Sequence, residues 1–389
     1  MPINIKTFNH QQMIPLSVPN FSGNEWEYIK DCLDTNWVSA TGSYVNRFEK
    51  LIAEYTQTNF AVAVSSGTTA LHVSLLLANV EQNDLVITNN LTFVATANAI
   101  KYLKADPILV DITPDTWQID TEIIREFLAK NCYLKDDACF HQKTNRRVKA
   151  ILPVHVLGNM AEMETLVELA NQYHLTIVED AAEALGSLYK NEHAGNWGTM
   201  ATLSFNGNKI ITTGGGGMIL TNDEAIAKKA KHLTTQAKAS SFDYFHDDLG
   251  YNYRLVNILA AMGVAQMEQL PLFVHKKRQI AEVYDDVLKK IKGCEIQKIN
   301  DDVYCNHWQY VGLFPDKTQL ISYLQNHQIE IRPLWIPMNQ LPIFKNDLYL
   351  SNYQVSKNIS ERGLMLPCST AITDDELAIV TDLIASFYK

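Results

Sequence analysis

Residues 61–78 read AVAVSSGTTALHVSLLLA, an apolar run followed by a serine and glycine turn and then a helical pattern. The first four residues are typical of a buried strand, whereas residues 70–78 repeat apolar side chains at helical spacing. Gly67 allows a ligand to approach the backbone closely, and a helix start presents free amides suited to a phosphate. The segment therefore predicts a strand, a turn and a helix. Its alternative interpretation is an ordinary capped helix after a tight turn.

The same alternation of apolar strands and amphipathic helices continues along the chain. It predicts an α/β fold with a mainly parallel sheet covered by helices on both faces, in three layers. In such a fold, catalytic groups gather at the carboxyl ends of the strands. The further strand candidates are residues 85–88, 107–110, 150–154 and 175–178, and helix candidates are residues 95–103 and 121–130. Residues 131–147 are polar and charged, which predicts an inserted loop or hairpin.

The pattern changes after Pro271, where a long helix is predicted from Val274 to Lys290. Strand and helix signals that follow it predict a second, smaller α/β domain. We therefore expect a large domain at residues 1–265, including an N-terminal segment, and a small domain at residues 266–389 that begins with the connecting helix.

Composition limits the function classes. The 389 residues carry a net charge of −10, which argues against a nucleic-acid partner. The start of the chain has no signal-peptide pattern and no apolar stretch is long enough to cross a bilayer, so we expect a cytoplasmic protein without a membrane partner. The six cysteines are scattered. Cys132, Cys139 and His141 match no familiar zinc spacing, and no metal is expected.

Two charged residues indicate the chemistry. Asp180 ends the apolar run 175–178, where a partly buried carboxylate needs a cationic partner, although a helix cap is the alternative. Lys209 lies in SFNGNK (204–209), next to apolar residues and before four glycines. Burial lowers the pKa of a lysine, and a neutral amine forms a Schiff base with an aldehyde. An aspartate for a pyridine nitrogen and a lysine for an aldehyde together predict pyridoxal 5′-phosphate (PLP).

The chain resembles the DegT-type sugar-nucleotide aminotransferases, which have the aspartate aminotransferase fold (PLP-dependent fold type I). The resemblance runs nearly end to end and is carried by SGTTALH (66–72), PVH (153–155), EDAA (179–182), Ser204-Phe205 leading to Lys209, and GYNYRL (250–255). It implies a homodimer with shared active sites.

The resemblance also implies roles for individual residues. Lys209 corresponds to the Schiff-base lysine and proton carrier, Asp180 to the partner of the pyridine nitrogen, and Phe93 to the aromatic residue that stacks on the ring. The phosphate cradle corresponds to Gly67, Thr68, Thr69 and Ser204. Asn252 corresponds to an asparagine that reaches the phosphate across the dimer interface.

Some positions depart from the family pattern or concern the substrate. Glu183 stands where glutamine or histidine is common and would contact the ring hydroxyl of the cofactor. The sugar site is implied to include Trp37 and the stretch from Arg332 through Trp335 to Asn339, where many relatives have histidine at the last position. Arg254 and Arg332 are candidates for a diphosphate, because guanidinium groups suit phosphate oxygens.

The details most resemble the branch that aminates C4 of UDP-2-acetamido-2,6-dideoxy-hexos-4-ulose, with L-glutamate as donor. That branch supplies legionaminic acid or bacillosamine for surface polysaccharides. The supporting segments are residues 212–218, 252–258 and 361–367 and the 131–147 insertion. Alternatives are a GDP-perosamine synthase, a dTDP-3-keto sugar aminotransferase, and a non-catalytic regulator or sensor on the same scaffold. A sugar 3-dehydratase has histidine in place of the lysine, so Lys209 argues against it.

Overall fold

A computed structural model describes residues 13–39, 42–240 and 242–389 of the chain. The first twelve residues of the predicted large domain lie outside the described residues. The helices are α1 (Glu25–Asp34), α2 (Ser43–Thr56), α3 (Gly67–Leu77), α4 (Ala95–Tyr102), α5 (Thr121–Asn131), α6 (Met163–Gln172), α7 (Glu224–Thr234), α8 (Asn257–Leu288), α9 (Lys317–Asn326), α10 (Val355–Arg362) and α11 (Asp374–Phe387). Short 3₁₀ turns span Val156–Gly158 and Met338–Gln340.

The strands alternate with these helices over the first half of the chain. They are β1 (Phe60–Val64), β2 (Leu85–Asn89), β3 (Asp106–Val110), β4 (Cys132–Lys135), β5 (Ala138–His141), β6 (Arg146–Leu152), β7 (Thr176–Asp180), β8 (Leu188–Tyr189), β9 (Glu192–His193), β10 (Met200–Ser204), β11 (Gly217–Thr221), β12 (Glu295–Ile296), β13 (Val303–Tyr304), β14 (Tyr310–Leu313), β15 (Arg332–Pro333), β16 (Leu348–Leu350) and β17 (Gly363–Leu366).

The central sheet has the order β1-β11-β10-β7-β6-β2-β3-β16. From β10 to β16 all neighbours along this path are parallel, whereas β11 runs antiparallel to both β1 and β10. The predicted α/β fold with a mainly parallel sheet is confirmed. The carboxyl ends of β7 and β10 lie side by side, because Thr202 is in register with Asp180.

Both faces of the sheet are covered, as the apolar strands predict. Neighbouring residues of one strand belong to different apolar clusters: Ile87 faces the core under α5 and α6, and Val86 faces the core formed with α3 and α4. The pair Ile177 and Val178 in β7 divides in the same way. Burial on two sides explains why these strands are continuous apolar runs.

The polar segment 131–147 forms a hairpin of β4 and β5, as one of its two interpretations predicted. β5 pairs with the beginning of β6, at Val148 and Arg146. These residues are at the amino-terminal end of β6, whereas the cavity residue Val154 follows its carboxyl-terminal end. The hairpin therefore widens the sheet at its amino-terminal edge.

α8 begins at Asn257, well before the predicted start at Val274, and continues through Pro271. Its first half contacts α1 and α2, where Glu268 pairs with Tyr28 and Arg47, and its second half contacts α11, where Lys276 pairs with Asp374. The predicted domain boundary after residue 265 falls inside this helix. Beyond it, β12, β14, β17 and β15 form an antiparallel sheet, and α8, α9 and α11 contribute to a separate apolar cluster that includes Tyr284, Leu324 and Ile384.

Candidate active site

A cavity of about 250 Å³ opens at the carboxyl ends of β7 and β10, beside the first turn of α3. It is the position at which an α/β sheet is expected to bind a ligand. The lining residues are Ser66, Gly67, Thr68, Leu71, Thr92, Phe93, Ala95, Thr96, Val154, Asp180, Ala182, Glu183, Ser204, Asn206, Asn208, Lys209, Gly215, Gly216 and Trp308. Asp180, Glu183 and Lys209 are its charged residues.

Asp180 is the last residue of β7, and its carboxylate is almost fully buried. The hydroxyl of Thr96 donates to Oδ2 at 2.7 Å, and the amide of Ala182 donates to Oδ1 at 3.2 Å. Burial raises the pKa of this carboxyl, and these two hydrogen bonds oppose the shift. The group is held in place by neutral donors and faces the cavity, where it suits a cationic ligand atom.

Lys209 lies in the loop between β10 and β11. Phe205, Ile210 and Ile211 anchor this loop in the core, as the apolar neighbours of Lys209 predicted. The Nζ atom lies 3.5 Å from Oε1 of Glu183 and 3.7 Å from the centroid of the Trp308 ring. Burial lowers the pKa of Lys209, and the nearby carboxylates partly offset this effect. The amine is thereby closer to its nucleophilic, neutral form.

Glu183 contacts Lys209 from the loop after β7. Its Oε2 accepts a hydrogen bond of 2.9 Å from the amide of Leu157. Burial raises its pKa to about 7, against the opposing influence of Lys209. Leu157 itself has φ of +62°, an uncommon conformation for leucine. This backbone conformation directs the Leu157 amide towards the Glu183 carboxyl.

The other end of the cavity is formed by the start of α3. A Cβ atom on Gly67 would lie 2.8 Å from Cβ of Ser204, so only glycine lets the helix start approach the end of β10 this closely. Ser66 and Thr69 form a reciprocal capping box: the Ser66 hydroxyl accepts from the Thr69 amide, and the Thr69 hydroxyl accepts from the Ser66 amide. Free amides, the Thr68 side chain and Ser204 remain to face an anion.

The cavity brings together most of the residues expected to hold a cofactor. Phe93 is 55% exposed and lies on its wall, as a residue that stacks on a bound ring would. Thr69 is the exception within the predicted cradle, because its hydroxyl serves the helix cap and it does not line the cavity. The predicted residues that line it are Gly67, Thr68, Phe93, Asp180, Glu183, Ser204 and Lys209.

The residues predicted for the substrate, and Asn252, do not line this cavity within the single chain. Arg254 lines a second cavity of about 190 Å³ with Lys231 and Thr235. Its Nε is buried and has no hydrogen-bond partner among the described residues. Asn252 is exposed on the neighbouring strand-like segment, where its backbone pairs with Thr235.

The remaining predicted substrate residues are dispersed. Arg332 is exposed and lies 3.3 Å from Glu330. Asn339 exchanges two hydrogen bonds of 3.0 Å with Asn90. Trp37 is largely exposed, and Trp335 is half-buried. The sequence placed these side chains in one sugar site only through the family resemblance. Within a single chain they do not form a common site with the cavity.

Two contacts of the site were missed in the sequence. Trp308 lies 99 positions from Lys209 and has no local signal that distinguishes it from a core tryptophan. Thr96, the donor to Asp180, lies at the start of α4. A hydroxyl three residues after Phe93, in the first turn of the predicted helix, was the available hint.

The residues present fit PLP. A buried carboxylate without an ion-pair partner within 4.0 Å among the described residues suits a protonated ring nitrogen, and the glycine-lined start of α3 suits a phosphate. Between them, the cavity offers one amine for an aldehyde, that of Lys209. Within the part of the chain that the structure describes, no cluster of His, Cys, Asp and Glu side chains is arranged to hold a metal, and every helix is too short or too polar to cross a membrane.

Comparison with known proteins agrees with this site. The model of the DegT/DnrJ/EryC1/StrS aminotransferase family matches residues 19–385. The chain is 36% identical over 379 residues to a GDP-perosamine synthase of Escherichia coli O157:H7, covering 97% of this chain and 99% of that protein. It is 37% identical over 383 residues to the putative pyridoxal phosphate-dependent aminotransferase EpsN of Bacillus subtilis (strain 168), covering 96% of each.

A solved structure shares the fold. The crystal structure of a DegT DnrJ EryC1 StrS aminotransferase from Brucella abortus superposes with a TM-score of 0.86 at 23% identity, over 94% of this chain and 95% of that one. At this identity the likeness concerns architecture. Together with the family match, it confirms the predicted fold class, the PLP-dependent fold type I with a mainly parallel central sheet.

Proposed function

The chain belongs to the DegT/DnrJ/EryC1/StrS aminotransferase family, and on that basis we propose that it aminates C4 of a nucleotide-linked 4-keto-6-deoxy sugar with L-glutamate as donor. It is a PLP-dependent sugar aminotransferase. What we propose beyond this is the acceptor, the donor and the roles of individual residues. The observation that carries the proposal is the cavity that Lys209, Asp180 and the start of α3 line together.

Different residues would bind different parts of the cofactor. Bound PLP supplies an aldehyde and a ring that accepts electrons. We assign Asp180 to the protonated ring nitrogen, which relieves the cost of burying an unpaired carboxylate. The start of α3 with Gly67 and Thr68, together with Ser204, is assigned to the phosphate, and Phe93 to the ring face.

Lys209 is assigned to the proton transfers. With PLP and the donor amino acid bound, the Lys209 Nζ would take a proton from the donor α-carbon as a general base and would deliver it, as a general acid, to the carbon that was the cofactor aldehyde. The same amine then serves the reverse sequence on the keto sugar. Because both halves use one site, we expect ping-pong kinetics.

Two acceptors have separate support. The Escherichia coli relative, similar over nearly the whole of both chains, is named a GDP-perosamine synthase, which favours GDP-4-keto-6-deoxymannose as the first candidate. The segments 212–218, 252–258 and 361–367 favour UDP-2-acetamido-2,6-dideoxy-hexos-4-ulose as the second. The 131–147 insertion also resembles this second branch, but its hairpin pairs with the beginning of β6 and does not line the cavity, so it supports the candidate by resemblance alone.

The test is a substrate panel. The purified protein is incubated with PLP, L-glutamate and GDP-, UDP- and dTDP-linked keto sugars, and the products are weighed by mass spectrometry. We expect an amine in place of the ketone for a 4-keto-6-deoxy sugar, with one nucleotide strongly preferred. Amination of 3-keto sugars alone, or of none while the cofactor is bound, contradicts the proposal.

A further inference from the structure

The free amine of Lys209 occupies a position with two distinct walls. Oε1 of Glu183 lies 3.5 Å from Nζ on one side, and the Trp308 ring lies 3.7 Å from it on the other. A carboxylate and an aromatic face both attract an ammonium group, the second by a cation–π interaction. Both walls therefore attract the protonated form of Lys209 at this position.

The Glu183 wall is fixed by the backbone around it. Leu157 donates its amide to Oε2, which leaves Oε1 free to face Lys209. Asn306, which is fully buried, donates from Nδ2 to the carbonyls of Glu183 at 2.8 Å and Leu185 at 2.9 Å. The carboxyl thus has little freedom to turn away from the amine.

Asn306 also fixes the second wall. Its Oδ1 accepts a hydrogen bond of 2.8 Å from the amide of Trp308. The indole Nε1 donates to the carbonyl of Asn208 at 2.7 Å, and Lys277 donates to the carbonyl of Trp308 at 2.8 Å. One buried amide side chain therefore connects both walls, and the indole is attached to the loop that carries Lys209.

Burial of Glu183 and Lys209 favours a proton shared between the two groups. Asp180 is the other charged residue of the cavity, and the buried pair His155 and Glu179 lies behind it, at 2.9 Å from one another. Burial raises the pKa of Glu183 to about 7 and lowers that of Lys209. Both shifts disfavour a permanent ion pair and bring the two proton affinities closer together.

We propose that Glu183 and Trp308 form a holding position for the free Lys209 amine, in which Glu183 exchanges one proton with Lys209. The proton passes from Nζ to Oε1, leaving a neutral amine and a neutral carboxyl, and no electrons are transferred to another group. Lys209 becomes a base when Glu183 holds the proton and an acid when it returns. Glu183 is then a positioning residue that acts through Lys209, and its role rests on the proposed function of that lysine.

The test uses the apoenzyme and the variant Glu183→Gln. The glutamine carbonyl can still accept from Leu157, so the change removes the charge and retains the shape. Lys209 is acylated with acetic anhydride across a pH series, and its modification is measured by peptide mass spectrometry. Without the carboxylate the amine loses its proton at lower pH, so we expect the midpoint to fall by about one unit, or roughly tenfold more modification at a fixed pH below it.

Further variants separate charge from structure. Glu183→Asp retains an acid and should move the midpoint back towards wild type, whereas Trp308→Leu removes the aromatic wall and should also lower it. Glu164→Gln is the matched control, since this exposed glutamate pairs with Lys190 outside the cavity. With the cofactor restored, Glu183→Gln should also remove the inflection near neutral pH from the rate of the glutamate half-reaction.

Two failures are distinguishable. If the acylation profile of Lys209 is the same in Glu183→Gln, Glu183→Asp and wild type, the shared proton is excluded. If acylated Lys209 leaves the apoenzyme able to regain full activity with PLP, the proposed function of Lys209 fails instead, and this inference fails with it.

Discussion

Lys209 combines two demands that seldom meet in one side chain. It is surrounded by buried residues, yet it must take up and lose a proton in each half of the proposed reaction. Burial and the nearby carboxylates act in opposite directions on its pKa, and burial prevails. The balance suits a group that alternates between base and acid, because general catalysis is most efficient when proton affinity is near the working pH.

Replacing this amine should remove the chemistry and leave the fold. For Lys209→Ala we expect transamination to fall by about a thousandfold or more, since proton transfer by a positioned group accounts for factors of this order. Single-turnover conversion of glutamate measures it, with the exposed Lys190→Ala as control. Activity within about tenfold of wild type, a barrier change of only ~1.4 kcal/mol, contradicts the assignment.

Replacing Asp180 should affect the stability of the apoenzyme and its affinity for PLP in opposite directions. Its carboxylate is buried without a cationic hydrogen-bond partner, so Asp180→Asn should leave the apoenzyme equally or more stable to heat. The same change should weaken PLP binding by about tenfold to a hundredfold, or ~1.4–2.7 kcal/mol, because the ring nitrogen loses its counter-ion. Titration of the apoenzyme with PLP measures the loss, with Asp248→Asn as a surface control. Unchanged affinity and turnover would remove the proposed role.

At the scale of elements, the junction of β1 and α3 determines whether an anion can be held. Gly67 permits the first turn of the helix to approach Ser204, and the capping box fixes where the helix begins. The capping residues and the glycine are local in sequence, so this element was predictable. The contact with β10 is not local, and it is what makes the helix start part of a cavity.

A methyl group at Gly67 should push the start of α3 away from the end of β10. Gly67→Ala places Cβ within 2.8 Å of Cβ of Ser204, and relieving such overlap typically costs about 1–3 kcal/mol. We expect a lower unfolding midpoint in urea and weaker PLP binding. Gly207→Ala is the matched control, because its Cβ would have no neighbour within 4 Å. Equal behaviour of the two variants contradicts the steric explanation.

The long helix α8 illustrates how packing overrides a local signal. A proline inside a helix removes a hydrogen bond and usually ends the helix nearby, which is why the sequence predicted a start after Pro271. The observed helix runs from Asn257 through Pro271, with Ala260, Val264 and Leu270 buried. Its first half lies against α1 and α2, and this apolar contact is unavailable to local reasoning.

At the scale of the whole molecule, we propose that a second copy of the chain completes the site. Asn252 and Arg254 lie close together in sequence, and neither lines the cavity of its own chain. If Asn252 reaches the phosphate in a partner, each site contains Lys209 of one protomer and Asn252 of the other. This arrangement can be tested without a structure of the assembly.

Mixing two inactive variants should restore activity. We expect Lys209→Ala and Asn252→Ala each to be impaired alone, whereas a heterodimer has one site with both residues intact. After dissociation and statistical reassociation, activity should reach about a quarter of wild type in a two-fold dimer. Omitting the reassociation step is the control. No recovery, with heterodimers present by native mass spectrometry, places the two residues in the same chain's site, whereas full activity of Asn252→Ala alone excludes a role for Asn252.

The sequence by itself determined the α/β fold, the strand end that carries Asp180, and the buried loop of Lys209, because the periodicity of apolar residues, the glycines and the isolated charges are local features of the chain. It also identified PLP, since an aldehyde and a pyridine nitrogen need those two side chains. Only the tertiary structure decided that Trp308 and Asn306 meet Lys209 and Glu183, and that Arg254 and Thr69 do not line the cavity. Such contacts join residues far apart in the chain, and they depend on how the sheets and helices pack rather than on any local preference.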